Sequence, residues 1–186
     1  MKKRLQLSLI GLVGSVLLFI ITSLAWFTVS EWVNIGLFQG SVTGQTISYQ
    51  LYVLEDGDYV PVSSLDFDLT VPGEEKSYRL VVTNPSNSIY NVRVYLAGVV
   101  DVVTNGDTSL MEVIQLESTI DSQMVVNDTF ANLIAGQLID VSEGFTIAGG
   151  QSETIDFSFI ILSSAGNIYQ GLSIEIDEIK IFFNVG

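Results

Sequence analysis

Apolar and polar residues alternate with a period of two in much of the chain from Ile47 onward. Successive side chains of a β-strand point to opposite faces of its sheet, so this period is typical of strands with one buried face. The alternation is clearest in residues 47–53, 78–82, 90–96 and 155–161. With frequent turn residues and little helical periodicity, it predicts an all-β fold, an antiparallel β-sandwich of jelly-roll or immunoglobulin type.

Short segments rich in Gly, Pro, Asn and Asp separate these strands. Asp56-Gly57-Asp58 is predicted to turn a hairpin from residues 47–53 into Tyr59 and Val60. Val71-Pro72-Gly73-Glu74 is predicted to be the next reversal, since proline presets φ and glycine tolerates positive φ. Asn84-Pro85-Ser86-Asn87 is predicted to separate the strands on either side of it, because proline cannot donate a ladder hydrogen bond.

The last apolar segment changes face along its length. Leu172, Ile174 and Ile176 are apolar at even positions, whereas the apolar residues that follow stand at odd positions: Ile179, Ile181, Phe183 and Val185. A shift of one residue exchanges the two faces of a strand. We therefore predict a β-bulge or sharp bend near Asp177-Glu178, which returns the later apolar side chains to the core.

Residues 101–143 carry no single period. Residues 111–120 are compatible with a strand, and the segment from Asp128 to Ile134 begins with a residue suited to cap a helix. We expect long connections here and one short helix.

The N-terminus combines three cations with a long apolar run. Lys2, Lys3 and Arg4 precede a stretch from Leu7 to Phe27 that contains no charged side chain. This is the pattern of a signal peptide over residues 1–25, with small residues at Ser23 and Ala25 and cleavage before Trp26. About 20 apolar residues also suffice for an uncleaved membrane anchor. Both readings place residues 26–186, one domain, outside the cell: secreted, or at the cell surface on an anchor.

Composition excludes several classes of function. The chain has a formal net charge of -14, and residues 26–186 keep 4 of the 7 basic residues and all 21 acidic ones, a net charge of -17. Such a surface repels nucleic acid, so we expect no nucleic-acid partner. The chain has no histidine and no cysteine, which excludes Ser-His-Asp triads, disulfides and the common zinc sites.

Carboxylates are the remaining candidates for chemistry. They cluster at Glu55, Asp56 and Asp58, at Asp66 and Asp68, and at Glu175, Asp177 and Glu178. Calcium binding or a glycosidase-like pair is one reading of these clusters. Solvated turns and outward strand faces are the reading we favour, since no EF-hand spacing occurs. We predict no enzymatic activity, no cofactor and no metal site.

The segment that follows the predicted cleavage point, Trp26 to Phe38, has the pattern of an aromatic-rich strand. Its predicted assembly residues are Phe27, Val29, Trp32, Val33, Ile35 and Leu37. Such a strand can complete its own sheet or can be added to the open edge of a neighbouring subunit. Physical reasoning leaves both possibilities open.

Several short motifs occur together in the order of a known family. They are the Ser-Leu-Ala-Trp-Phe-Thr junction at residues 23–28, Gly36-Leu37-Phe38-Gln39-Gly40, the turn at residues 71–74, and Asn167-Ile168-Tyr169-Gln170-Gly171. The chain resembles the TasA and camelysin family of bacterial surface and biofilm-matrix proteins.

The resemblance implies a jelly-roll domain, export with cleavage by a SipW-type signal peptidase, and assembly into extracellular fibres by donation of residues 26–38 to the next subunit. Self-association and the peptidase are then the expected partners, and residues 1–25 contact the membrane before cleavage. The metalloprotease role described for camelysins does not transfer, because the chain has no histidine. The alternative is a membrane-anchored β-sandwich that acts as a binding or accessory module.

Overall fold

The computed structural model describes residues 47–65, 69, 71–103 and 106–186. They form twelve strands, one four-residue helix, α1 (Phe130–Leu133), and two short 3-10 turns. The strands are β1 (Ser48–Glu55), β2 (Asp58–Val62), β3 (Glu75–Thr83), β4 (Tyr90–Ala97), β5 (Val100–Val103), β6 (Ile114–Ile120), β7 (Gln123–Thr129), β8 (Leu138–Asp140), β9 (Phe145–Ile147), β10 (Ser152–Ile161), β11 (Ser173–Glu175) and β12 (Glu178–Val185). The predicted leader, cleavage junction and assembly strand lie in residues 1–46, outside the described residues. Asp66 and Asp68 also lie outside the described residues.

The strands form two principal sheets. The large sheet has six strands in the order β2-β1-β3-β10-β6-β7. In the small sheet β4 is central, with β12 along one side and with β8 and β9 on the other. β5 and β11 form a separate pair, and every strand pair in the described residues is antiparallel. The predicted all-β antiparallel fold is confirmed at this level.

One hydrophobic core joins the two sheets. Leu80, Leu116 and Ile155 of the large sheet share a buried cluster with Val94 and Leu96 of the small sheet. Each of these side chains is fully buried, which stabilises the fold by about 1.5–3 kcal/mol per residue. The alternating strands therefore bury their apolar faces against each other, as the layers of a sandwich do.

The helix α1 closes one side of this core. Phe130 is fully buried, and its ring meets Phe159 edge-on with 5.8 Å between ring centroids. The short helix predicted after Asp128 is confirmed, but its N-cap is Thr129. The Asp128 carboxylate instead accepts hydrogen bonds from the Thr129 amide and the Asn132 side chain, which together lower its pKa.

The first predicted hairpin is confirmed with a tighter turn. Glu55 pairs with Asp58, so only Asp56 and Gly57 form the turn and Asp58 already belongs to β2. Both turn residues have positive φ, 51° and 91°. This is the two-residue turn whose twist matches that of the flanking strands.

The strands on either side of Asn84-Pro85-Ser86-Asn87 are confirmed, but they belong to different sheets. β3 lies in the large sheet and β4 in the small one, so the connection crosses the edge of the sandwich. Asn84 is fully buried at this crossing, and its side-chain amide donates to the carbonyl oxygens of Ser88 (2.8 Å) and Ile147 (3.1 Å). Its side-chain oxygen accepts from the Ser86 amide at 3.0 Å. The buried amide therefore ties the crossing to β9.

The predicted change of face near Asp177 is also confirmed. β11 pairs with β5, whereas β12 pairs with β4, so the chain bends between them. The Asp177 amide donates to the carbonyl oxygen of Ala97 at 2.9 Å and fixes the bend. Gly98 has a φ of 70°, and a Cβ there would lie 2.0 Å from a carboxylate oxygen of Asp177. Only glycine fits this position without displacing the bend.

Candidate assembly surface

The described domain has open sheet edges. β2 and β7 end the large sheet, and β12 ends the small sheet on the side away from β8 and β9. An open edge presents unpaired backbone N–H and C=O groups that another strand can join. These edges are the candidate sites for the strand addition that the family resemblance implies.

β12 is the least protected of the three. It pairs with β4 over all eight of its residues without a register shift, so its outer edge is regular. Its second half, Ile181 to Val185, contains no charged residue, and its single ion pair joins Lys180 to Glu178 at 2.9 Å in the first half. Phe182 is 54% exposed and Val185 is 65% exposed. This half is an apolar edge on an acidic protein.

The core-facing side of β12 becomes progressively uncovered along the strand. Ile179 is buried, Ile181 and Phe183 are half-buried, and Val185 is exposed, although all four share one face. The Phe183 ring meets Tyr90 edge-on with 5.5 Å between centroids. At this corner the described sandwich therefore leaves part of its inner face open.

The two edges of the large sheet carry protective features. β2 has five residues, of which Pro61 lacks an amide hydrogen and Asp58 is charged. The pairing of β7 with β6 has a register irregularity at Ser118–Thr119, and β7 ends in Asn127-Asp128-Thr129. Bulges, prolines and charges are the usual means by which natural edges avoid adding strands.

The outer face of the small sheet holds a groove of about 560 Å³ beside β12. Its lining includes Asn91, Arg93, Glu143, Phe182 and Asn184. The Arg93 guanidinium lies 3.4 Å from both the Tyr95 hydroxyl and a carboxylate oxygen of Asp140. The hydrogen bond to the Tyr95 hydroxyl and the negative charge of Asp140 raise the pKa of Arg93, which remains charged. The groove thus presents one cation, the Glu143 carboxylate, two side-chain amides and an exposed aromatic ring.

A tight loop after β8 shapes this groove. One Asp140 oxygen accepts hydrogen bonds from the Ser142 amide (2.9 Å), the Ser142 hydroxyl (3.1 Å) and the Glu143 amide (3.0 Å). The Ser142 oxygen in turn accepts from the buried amide of Val94 at 2.9 Å. The loop is therefore held to β4 and keeps its shape without a ligand.

An ion pair between Arg79 and Asp156 lies on the outer face of the large sheet. Arg79 donates two hydrogen bonds to the Asp156 carboxylate, at 2.6 and 2.8 Å, and its guanidinium lies 3.9 Å from the ring centroid of Tyr59. The bond to Asp156 is the main cause of the raised pKa of Arg79. The Nε and Nη2 donors of the guanidinium thus form one bidentate pair with the carboxylate, the strong geometry for an arginine–carboxylate contact.

The carboxylate clusters that the sequence analysis noted lie apart from one another. Glu55, Asp56 and Asp58 surround the exposed β1–β2 turn, and Asp177 and Glu178 lie at the bend before β12. Among the described residues, no group of three or more acidic side chains is placed to hold a metal ion. Within the same residues, no helix is long and apolar enough to cross a bilayer.

Comparisons with known proteins leave the family open. No family model matches the chain, and no curated protein matches it. One solved structure that aligns with it is that of AvmM, described as catalysing macrocyclization in alchivemycin A biosynthesis. The alignment covers 70% of this chain and 74% of AvmM, with 11% identity and a TM-score of 0.32. Similarity at this level carries no argument about fold or function.

Proposed function

We propose that this protein is an exported structural subunit, which assembles into extracellular fibres of a biofilm matrix by donating its N-terminal strand to a neighbouring subunit. The supporting observation is the apolar, unpaired edge that β12 presents in the described domain. The sequence supplies a matching strand in residues 26–38, upstream of the first described strand. The sandwich, on this proposal, is of the jelly-roll type that the resemblance implies.

Strand addition suits both partners physically. The donated strand gains backbone hydrogen bonds along a whole edge and buries its apolar side chains against the receiving sheet. The contact joins two different surfaces of the same protein, so it is head-to-tail and repeats without closing. A chain of such contacts is a fibre.

Electron microscopy of the exported protein tests this proposal. We expect filaments whose number and length increase with protein concentration. Val33→Asp and Ile35→Asp place a charge on the apolar face of the donated strand, where burial makes it costly, and should abolish the filaments. Thr28→Asp and Asn34→Asp are the matched controls, because they add the same charge to the other face, and should leave the filaments intact.

Two results would contradict the proposal. One is monodisperse particles at every concentration, in protein whose circular dichroism shows a folded β domain. The other is equal filament formation by all four variants, which would mean that residues 26–38 take no part in assembly.

The second candidate is a membrane-anchored surface module that binds a ligand. The groove beside β12 favours it, because Arg93, Asn91 and Asn184 surround an exposed aromatic ring, Phe182. This function requires that residues 1–25 stay attached, whereas fibre assembly requires their removal. N-terminal sequencing of the protein from intact cells separates the two: a chain that begins at Trp26 supports the fibre, and one that begins at Met1 in the membrane fraction supports the anchored module.

A further inference from the structure

We propose that the groove beside β12 binds an uncharged oligosaccharide, with one sugar ring stacked on Phe182 and with its hydroxyl groups hydrogen-bonded by the polar side chains around that ring. The inference goes beyond fibre assembly and does not depend on it. It gives a ligand class to the binding function that stands as the second candidate.

The residues of the groove stand in rows across the outer face of the small sheet. In one row, Asn91 of β4 lies between its pairing partners Asn184 of β12 and Thr146 of β9. In the next row, Arg93 of β4 pairs with Phe182 of β12. Directly opposed side chains have Cβ atoms about 4.5–5.5 Å apart. Two amides, a hydroxyl, a guanidinium and an aromatic ring therefore lie within one small area.

The Phe182 ring is held in position and is open to solvent. It is 54% exposed, and it meets the Tyr95 ring edge-on, with 5.5 Å between ring centroids and 87° between ring planes. A pyranose ring is apolar on the faces formed by its C–H groups and polar around its rim of hydroxyl groups. An exposed aromatic ring is a surface on which such a face can be buried.

The polar groups around this ring keep hydrogen-bonding capacity for a ligand. Within the described residues, both hydrogen bonds of the Arg93 guanidinium are donated by Nη1, and its side chain is 58% exposed. In the same part of the chain, the side chains of Asn91, Asn184 and Thr146 make no hydrogen bond. Amides and hydroxyls both donate and accept, which matches the hydroxyl groups of a sugar.

The charges of the groove favour a neutral ligand. Its lining holds one cation, Arg93, and one carboxylate, Glu143, which offset each other. Residues 26–186 contain 4 basic and 21 acidic residues, a net charge of -17, so the domain repels anions. A cationic ligand would meet Arg93 and, one row further along β12, Lys180. An uncharged polyhydroxyl ligand avoids both repulsions.

The groove has a suitable size and is formed without a ligand. Its volume of about 560 Å³ lies in the usual range for small-molecule sites, about 300–1,000 Å³. The Arg93 side chain lies across Gly144, where the φ of 91° suits glycine and an added Cβ would lie 3.2 Å from Nε of Arg93. A preformed site loses little conformational entropy when it binds.

The outer face of the large sheet presents a weaker site. Its groove has a volume of about 140 Å³. Arg79 is engaged in the bidentate bond with Asp156, and the hydroxyls of Thr83 and Ser152 share a hydrogen bond of 2.7 Å. The polar groups of that face thus bond one another, whereas those of the groove beside β12 are open to a ligand.

Affinity electrophoresis of the complete chain, as it is exported, tests the inference. Native gels contain one of four uncharged polysaccharides (dextran, mannan, galactan or a soluble β-glucan) or the anionic polysaccharide alginate. The protein is loaded below the concentration at which filaments appear, so that single subunits are measured. We expect at least one uncharged polysaccharide to retard the protein and alginate to leave its mobility unchanged.

Two substitutions remove groups to which the inference assigns binding. Phe182→Ala removes the stacking surface and should raise the dissociation constant about tenfold, and Asn91→Ala removes hydrogen bonds and should raise it roughly threefold to tenfold. The matched controls are Tyr52→Ala and Asn127→Ala, on the large sheet, which should bind as the native protein does. Tyr52 is half-buried and Asn127 is exposed. Circular dichroism checks that each variant is folded.

Every other outcome overturns a stated part of the account. Retardation by none of the four uncharged polysaccharides, or equal binding by Phe182→Ala, Asn91→Ala and the native protein, would overturn the inference. Stronger retardation by alginate would overturn the uncharged ligand. A concentration-dependent dimer that Phe182→Ala abolishes, without retardation by any polysaccharide, would assign the face to a second copy instead. Absence of filaments from the native protein would overturn the proposed fibre and leave this inference standing.

Discussion

At the scale of single residues, Asn84 shows how one polar side chain fixes the crossing between the sheets. Its amide group lies near the carbonyl oxygens of Ser88, Ile147 and Ala148, at 2.8, 3.1 and 3.3 Å. Buried polar groups are stable only when they are paired, and these carbonyls supply the partners that the buried Asn84 amide needs. The Asn84 side chain therefore holds the β3–β4 connection in place with hydrogen bonds to the backbone, as ladder hydrogen bonds hold neighbouring strands.

Replacing Asn84 by alanine is expected to lower the free energy of unfolding by about 2 kcal/mol or more, because the buried bond to the Ile147 carbonyl and the bonds to Ser86 are lost together. Urea unfolding followed by far-ultraviolet circular dichroism measures the change in the free energy of unfolding. Asn87→Ala is the control: Asn87 lies in the same connection but is exposed, and its loss should change stability by less than about 0.5 kcal/mol. Equal effects of the two substitutions would show that Asn84 is not the anchor of the crossing.

The sequence predicted where Asn84 stands but not what it does. Pro85 after it marked the end of a strand, which is a local property of the chain. The partner carbonyl of Ile147 is 63 residues away in sequence. Its distance from Asn84 depends on how the sheets pack, and no local pattern encodes that.

At the scale of elements, the bend between β11 and β12 allows the chain to leave its pairing with β5 and to pair with β4 as the edge strand of the small sheet. The change from even to odd apolar positions predicted this bend, because the core selects one face of each strand. At the bend Asp177 lies close to Gly98. A Cβ added to Gly98 would lie 2.0 Å from a carboxylate oxygen of Asp177 and 2.5 Å from the Cβ of Asp177.

Gly98→Ala is therefore expected to cost about 2 kcal/mol more in unfolding free energy than Gly136→Ala. Gly136 has nearly the same φ, 69° against 70°, but nothing within 4 Å of its ideal Cβ. The control thus carries the same backbone strain without the collision. Thermal and urea unfolding of both variants measure the difference, and similar losses would mean that the bend yields easily.

Other elements escaped prediction for identifiable reasons. The β6–β7 hairpin turns at Asp121 and Ser122, which have φ values of 51° and 64°. Neither is the glycine that usually marks such a turn, so residues 101–143 looked like a long connection. The sequence also did not predict which strands β3 and β4 pair with, because consecutive strands in a sequence need not belong to one sheet.

At the scale of the whole molecule, an acidic surface opposes assembly and an apolar edge favours it. Residues 26–186 carry a net charge of -17, so neighbouring subunits repel one another. On the proposed function, the burial of an apolar donated strand must outweigh this repulsion. On the same proposal, the charge keeps single subunits apart in solution until donor and acceptor meet.

A synthetic peptide of residues 26–38, with a short lysine tail for solubility, tests this account most directly. If subunits join by strand donation, the peptide occupies the receiving edge but carries no domain that could extend the fibre. A tenfold molar excess should shorten the filaments severalfold in electron micrographs and should remain bound at about one peptide per capped end. The same peptide with Val33→Asp and Ile35→Asp should have no effect. Filaments of unchanged length in the presence of the native peptide would contradict assembly through residues 26–38.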